Sequence, residues 1–273
     1  MSEGLYQQSS RFLMELLQNA DDCRYDDPVP TMKLSCWNRR LRVDYNEVGF
    51  TRLDVEAICR ISSTKKEVAN QTGEKGIGFK SVFRIADVVS VHSGHYSFQF
   101  DASQKLGMIT PKWLDSFPVE ELPGFTTILL QIRDEDGQRE VVEEMKTMSP
   151  KRLLFLRRLV RMEIDIIQGS GPPFQTCFGR AVEVRTYADG SRPRQITTLS
   201  HDNTSSQYWV YRHVVKDLPE EPKRGHVTES VIMLAFPVRT ATAKDSAFEP
   251  MVEPQQVHAV LPVRDYGFKA SRY

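Results

Sequence analysis

Apolar positions change their period more than once along this chain. Between Arg11 and Cys23 they fall at Leu13, Leu16, Leu17 and Ala20, one face of a helix. Met32–Cys36 and Leu41–Tyr45 alternate around Trp37-Asn38-Arg39-Arg40, which predicts a hairpin. Thr51–Arg60 reads as a second helix with Thr51 as its N-cap. Residues 61–72 are polar and aperiodic, so a loop is expected before a third helix at Gly76–Ala86. Strands follow at Asp87–His92, His95–Phe100, Leu106–Ile109 and Thr126–Ile132, with Ser93-Gly94 as a hairpin turn. Arg133–Gln138 is a charged break, and Val141–Met148 a short helix that ends before Pro150. The domain boundary is set there, giving 1–148 and 149–273. Beyond it, Lys151–Leu159 reads as helix. Met162–Ile167, Val182–Thr186, Tyr208–Val215, Ser230–Pro237 and Val257–Val263 read as strands. Helices first and antiparallel strands later predict an α+β sandwich, helices on one face of a mixed sheet. A second α/β domain, incomplete at its C-terminal end, is expected to follow.

Composition narrows the function classes. Thirty-six basic and thirty-six acidic residues cancel, so no global field gathers nucleic acid or an anionic membrane. The four cysteines form no CxxC pair and no metal-ligand spacing, as expected of reduced thiols in the cytoplasm or nucleus. No apolar run approaches the roughly 20 residues that span a bilayer, and Met1–Gln8 lacks the apolar core of a signal peptide. A soluble intracellular protein is expected.

Three segments carry candidate chemistry. In Glu15–Asp22, helical geometry puts Glu15, Asn19 and Asp22 within about 60° of one another, opposite the leucines. A carboxylate can polarise water, and an amide oxygen one turn on can ligate magnesium. A solvated helix face has the same spacing. In Gly73–Ser81, glycines at 73, 76 and 78 let main-chain N–H groups approach a phosphate at the start of a helix. This is not a Walker A loop, because Phe79 stands where that motif needs Lys, and no strand precedes it as a dinucleotide fingerprint requires. Lys80 could reach a phosphate or lie in solvent. The third segment, Asp44–Phe50, reads as a turn that meets a purine. His92 and His95 flank a turn without a third ligand nearby, and Lys151–Arg161 is a local basic run that reads as a solvated face.

Taken together, ELLQNADD, NEVGF, TGEKGIGFKSVF and Gly124-Phe125-Thr126-Thr127-Ile128 resemble the GHKL ATPases, which include the ninety-kilodalton heat-shock chaperones, gyrase, MutL and sensor histidine kinases. The chain looks closest to the sacsin and NO VEIN-like branch, over about Gln8–Arg133. The resemblance implies a Bergerat-type sandwich holding ATP and Mg2+. By position, Glu15 would be the general base and Asn19 the magnesium ligand, with Asp22 supporting the pocket. Gly73, Gly76, Ile77, Gly78 and Phe79 would form the phosphate loop, Thr64 and Lys65 would begin a lid, and Thr126 would sit near adenine. The family's second motif is an Asp followed by two alternate glycines. Counting back from Gly49 puts Tyr45 at the Asp position and Glu47 at the first Gly, so either a local shift brings Asp44 or Asn46 to the base, with Asp44 favoured, or adenine is read differently.

The resemblance implies an ATP-dependent, chaperone-like machine, slow in isolation, that is part of a larger polypeptide with intramolecular or protein partners. A catalytically silent nucleotide-binding scaffold is the alternative. A MutL- or gyrase-like DNA-processing ATPase fits less well with zero net charge. No phosphoacceptor His precedes the first motif, which argues against a sensor kinase.

Overall fold

The apolar stripe at Leu13, Leu16, Leu17 and Ala20 is the buried face of a helix, α1 (Glu3–Asp22), and each of these residues is at most 2% exposed. The computed structural model describes residues 3–60, 78–186, 194–218, 228–240, 248–251, 255–259 and 261–268. The chain forms two compact units, 1–149 with 156–177, and 150–155 with 178–273.

In the first unit, β1 (Thr31–Trp37) and β2 (Arg40–Tyr45) are the expected hairpin, with Met32 opposite Tyr45 and Trp37 opposite Arg40. Both turn residues, Asn38 and Arg39, have positive φ, the conformation that matches the twist of paired strands. Helix α2 (Arg52–Cys59) starts from a capping box in which Thr51 and Asp54 serve each other's backbone N–H groups. Phe79–Arg84 is a 3-10 helix rather than the expected α-helix. Then come β3 (Ala86–Ser93), β4 (Tyr96–Asp101), the short β5 (Lys112–Trp113) and β6 (Thr126–Ile132). Residues 106–109, expected as a strand, form turns.

Helix α3 (Glu135–Lys146) begins inside the stretch read as a charged break. Asp134 caps it, Glu135 and Asp136 face its positive end, and Lys146 lies in its last turn, so those charges mark a helix start. The last strand of this unit is β7 (Arg161–Ile166). The strand order is β7-β1-β2-β6-β3-β4-β5. Every pair is antiparallel except β1 with β7, so the sheet is mixed. Strand β6, between β2 and β3, is buried at all but one position.

The second unit corrects the expected fold class. Its residues 150–155 are a 3-10 helix, not the α-helix expected at Lys151–Leu159, and no α-helix occurs among its described residues. Instead β8 (Phe174–Arg185), β9 (Arg194–His201), β10 (Thr204–Lys216), β11 (Glu229–Thr240) and β12 (Phe248–Pro250) form an antiparallel meander. A separate pair, β13 (Gln255–Ala259) and β14 (Leu261–Phe268), covers the stretch read as one strand. With 44% strand and 22% helix, the described residues form a strand-dominated mixed-sheet structure. It is neither the expected α/β sandwich nor a sandwich followed by a second α/β domain. Local alternation, here running through strands of 12 and 13 residues, fixes the backbone type, and it outweighed an expectation taken from element order. Among the described residues no helix is long and apolar enough to cross a membrane.

Candidate functional site

Burial of the leucine face leaves Glu15, Asn19 and Asp22 half-exposed on α1. The helix end is tightly finished. Cys23 Sγ donates to the Asn19 carbonyl at 3.1 Å, Tyr25 Oη to the Ala20 carbonyl at 2.7 Å, and the Arg158 guanidinium to the carbonyls of Asp22 (2.9 Å) and Cys23. A cation and two further donors thus meet the negative end of the helix. Asp21, which the sequence reading passed over, is 6% exposed. Its carboxylate accepts the backbone N–H groups of Arg157, Arg158 and Leu159 at 2.8, 2.8 and 2.9 Å.

Beside this helix end lies the turn after β2. Val48 N–H donates to the Arg24 carbonyl at 3.0 Å, and Gly49 has φ +94°, which a residue with a Cβ adopts only under strain. Glu47, 8% exposed, is the centre of a buried polar cluster. Thr126 Oγ1 donates to Glu47 Oε1, Ser93 Oγ lies 3.4 Å from the same oxygen, and the two hydroxyls are 2.5 Å apart. Phe50 N–H donates to Ser93 Oγ at 2.8 Å, which locks the turn onto β3. Burial pushes the Glu47 carboxyl above its ordinary pKa, and hydrogen bonds from Thr126, Gly49 and Ser93 partly oppose the shift. The Tyr25 and Tyr45 hydroxyls also titrate above their usual range, mainly through burial, with the charge of Glu47 adding to it.

Asp44 and Asn46, the expected purine readers, have hydrogen-bond partners within the chain. Both oxygens of Asp44 accept from Arg42 Nε, at 2.9 and 2.8 Å, and Oδ1 also accepts from Thr127 Oγ1 at 2.5 Å. Asn46 bridges the chain entering β1, accepting from Thr31 N–H at 2.7 Å and donating to the Val29 carbonyl at 3.1 Å. Glu47, Thr126 and Gly49 come together; Asp44 faces a different neighbourhood. Taking Gly49 as the first glycine of an acid-x-Gly pattern would have pointed to Glu47, with Thr51 where the second glycine stands.

Of the glycine segment, Gly78 and Phe79 are described; Thr64, Lys65, Gly73, Gly76 and Ile77 lie outside the described residues. Gly78 meets α1 directly. A β-carbon built on it would lie 2.5 Å from Glu15 Oε2 and 3.4 Å from the carboxyl carbon. Phe79 is core, 3% exposed, and packs on Phe83 and Phe100. Lys80 is held by two backbone carbonyls. Among the described residues no group of three His, Cys, Asp or Glu side chains could hold a metal ion.

Residues 33–112 match the Sacsin domain. The chain is also similar to Protein NO VEIN of Arabidopsis thaliana, 37% identical over 298 aligned residues that take in 98% of this chain and 10% of the relative. Both likenesses point to the sacsin and NO VEIN-like proteins. The chain spans about a tenth of the length of that relative. The matched sacsin window takes in Glu47, Gly49, Ser93 and Gly78, while Glu15, Asn19 and Thr126 lie outside it.

Proposed function

We propose that the first unit binds Mg-ATP in the manner of the GHKL ATPases and serves a larger sacsin/NO VEIN-like polypeptide as a slow, chaperone-like conformational device. The observation that carries this reading is the packing of the Glu15 carboxylate against the Gly78 backbone. It would set a base beside the segment whose amides would hold phosphates. Glu15 would take the proton of the attacking water. Asn19, one turn on, would add an amide oxygen to a magnesium ion otherwise held by phosphates and water, the usual way that cation is shared. Asp22 would support the pocket from the same helix face.

Glu47 would take the part first given to Asp44. It is buried, it is hydrogen-bonded to Thr126, and the adjoining Gly49 turn brings backbone close by. An exocyclic amino group donating to Glu47 would lessen the cost of its desolvated charge.

Calorimetric titration with ATP, with and without magnesium, tests the reading. The parent is expected to bind, and Asn19→Ala to lose the magnesium-dependent part. Absence of binding by the parent would end the proposal.

One observation favours a second reading, a nucleotide-stabilised scaffold with negligible turnover. Phosphoryl transfer relies on cations around the γ-phosphate, and Lys80, the cation next to the loop among the described residues, is occupied by carbonyls. Steady-state phosphate release by the parent and by Glu15→Ala separates the two readings.

A further inference from the structure

Lys80 lies two residues past Gly78 and offers itself as a phosphate ligand, but its surroundings are those of a fastening. Its ammonium donates to the Ile58 carbonyl at 2.6 Å and to the Met108 carbonyl. It also lies over the ring of Phe100, 4.6 Å from the centroid, with Phe79 and Phe83 at 5.7 and 5.9 Å. The three rings pack on one another at 5.9 to 6.4 Å, mostly edge to face, and all are buried. Ile58 sits in the last turn of α2, where carbonyls lack a helical partner and the helix dipole favours a cation.

We infer that Lys80 is a positioning residue: its ammonium fastens the 3-10 helix that begins after Gly78 to the end of α2 and to the turn at Met108. It thereby fixes where Gly78 meets Glu15 without touching either. Ring faces and carbonyl oxygens both favour a cation. Two of its three protons are committed, so reaching a phosphate would break both bonds and pull the charge off the rings. Burial lowers the Lys80 pKa to about 8, with Cys59 the titrating neighbour that opposes the shift, and the group is mainly charged at neutral pH. The functional consequence rests on the proposed nucleotide site. The fastening does not.

The test uses amide hydrogen exchange on the nucleotide-free chain together with ATP calorimetry, for the parent, Lys80→Met and Lys80→Arg. Lys80→Met is expected to speed exchange about tenfold in residues 79–85 and 58–60, and to weaken ATP by about tenfold, the loss of one charge-assisted bond. Lys80→Arg, which keeps a charged donor able to stack on rings, is expected to restore much of both. Parent-like exchange in Lys80→Met, whether or not ATP weakens, would overturn the inference, as would faster exchange with undiminished ATP affinity. Failure of Lys80→Arg to restore either property would do the same. Faster exchange in a system where the parent itself binds no ATP would uphold the fastening and reject the nucleotide reading. If Lys80→Met does not fold, the parent decides by NMR. A slowly exchanging Lys80 ammonium signal at pH 6.5 is expected, and exchange as fast as that of exposed Lys105 would overturn the inference.

Discussion

The Glu15 carboxylate occupies the space that a side chain at Gly78 would need. Gly78 itself has φ −60° and ψ −42°, so alanine meets no backbone strain there. Gly78→Ala is therefore expected to change stability by less than about 1 kcal/mol, since the crowded atom is the tip of a flexible chain. It is expected to displace the carboxylate and cut phosphate release at least tenfold. Melting temperature and turnover, measured side by side, check this; a parallel fall in both would mean that the glycine serves packing alone.

Glu47 and Asp44 separate by assay. Glu47→Ala should weaken ATP at least tenfold, as it removes the acceptor beside Thr126. Asp44→Asn should leave affinity nearly unchanged but lose about 3 kcal/mol of stability, because it breaks the buried pair with Arg42. Calorimetry and urea unfolding on both variants decide it, and the opposite order would return the purine to Asp44.

Glu47 also predicts a pH dependence. Burial raises its carboxyl pKa, so the folded chain keeps a proton that the unfolded chain has lost. Its contribution is whole below the ordinary carboxylate range and declines as pH climbs through the raised folded value. Glu47→Gln has no proton to lose. Between pH 4 and 7 the urea midpoint of this variant should gain on that of the parent, and a constant gap would show that Glu47 ionises normally.

Asp21→Ala would leave three backbone N–H groups, those of Arg157, Arg158 and Leu159, without their acceptor. A loss of about 3 kcal/mol is expected, larger than for most single substitutions. Equilibrium unfolding measures it; a loss below about 1 kcal/mol would mean that water replaces the carboxylate at little cost.

Elements with a clean local period were legible in the sequence. The Met32–Tyr45 hairpin, the Thr51 cap and the strand at Thr126–Ile132 appear where alternation and capping chemistry put them. Fold class was not. The run at Lys151–Leu159 is helical in composition but forms a short 3-10 helix and then an irregular stretch held by Asp21. Within the site, the leucine stripe on α1 announced that Glu15 and Asn19 share the opposite side. The buried cluster around Glu47 was not legible, because its partners Ser93 and Thr126 are 46 and 79 residues away and only tertiary pairing brings them together. Lys80 was left open between a phosphate and solvent for the same reason: its contacts with Ile58, Met108 and the Phe100 ring are made only in the tertiary structure.

The parallel pairing of β1 with β7 has a consequence in time. Thr31 to Cys36 match Arg161 to Ile166, and Asp21 grips residues 136 to 138 positions further on. Everything else β1 needs is made soon after it; this neighbour is made last. A nascent chain must therefore wait, with one edge of β1 bare and the Asp21 carboxylate without its three amide donors, until the ribosome has released the segment that closes the unit. Such waiting is slow by contact order and exposes an edge suited to wrong pairing. Chains halted at Ser149 are expected to be caught by proteases in a pulse-proteolysis experiment, and chains carried through Cys177 to survive it.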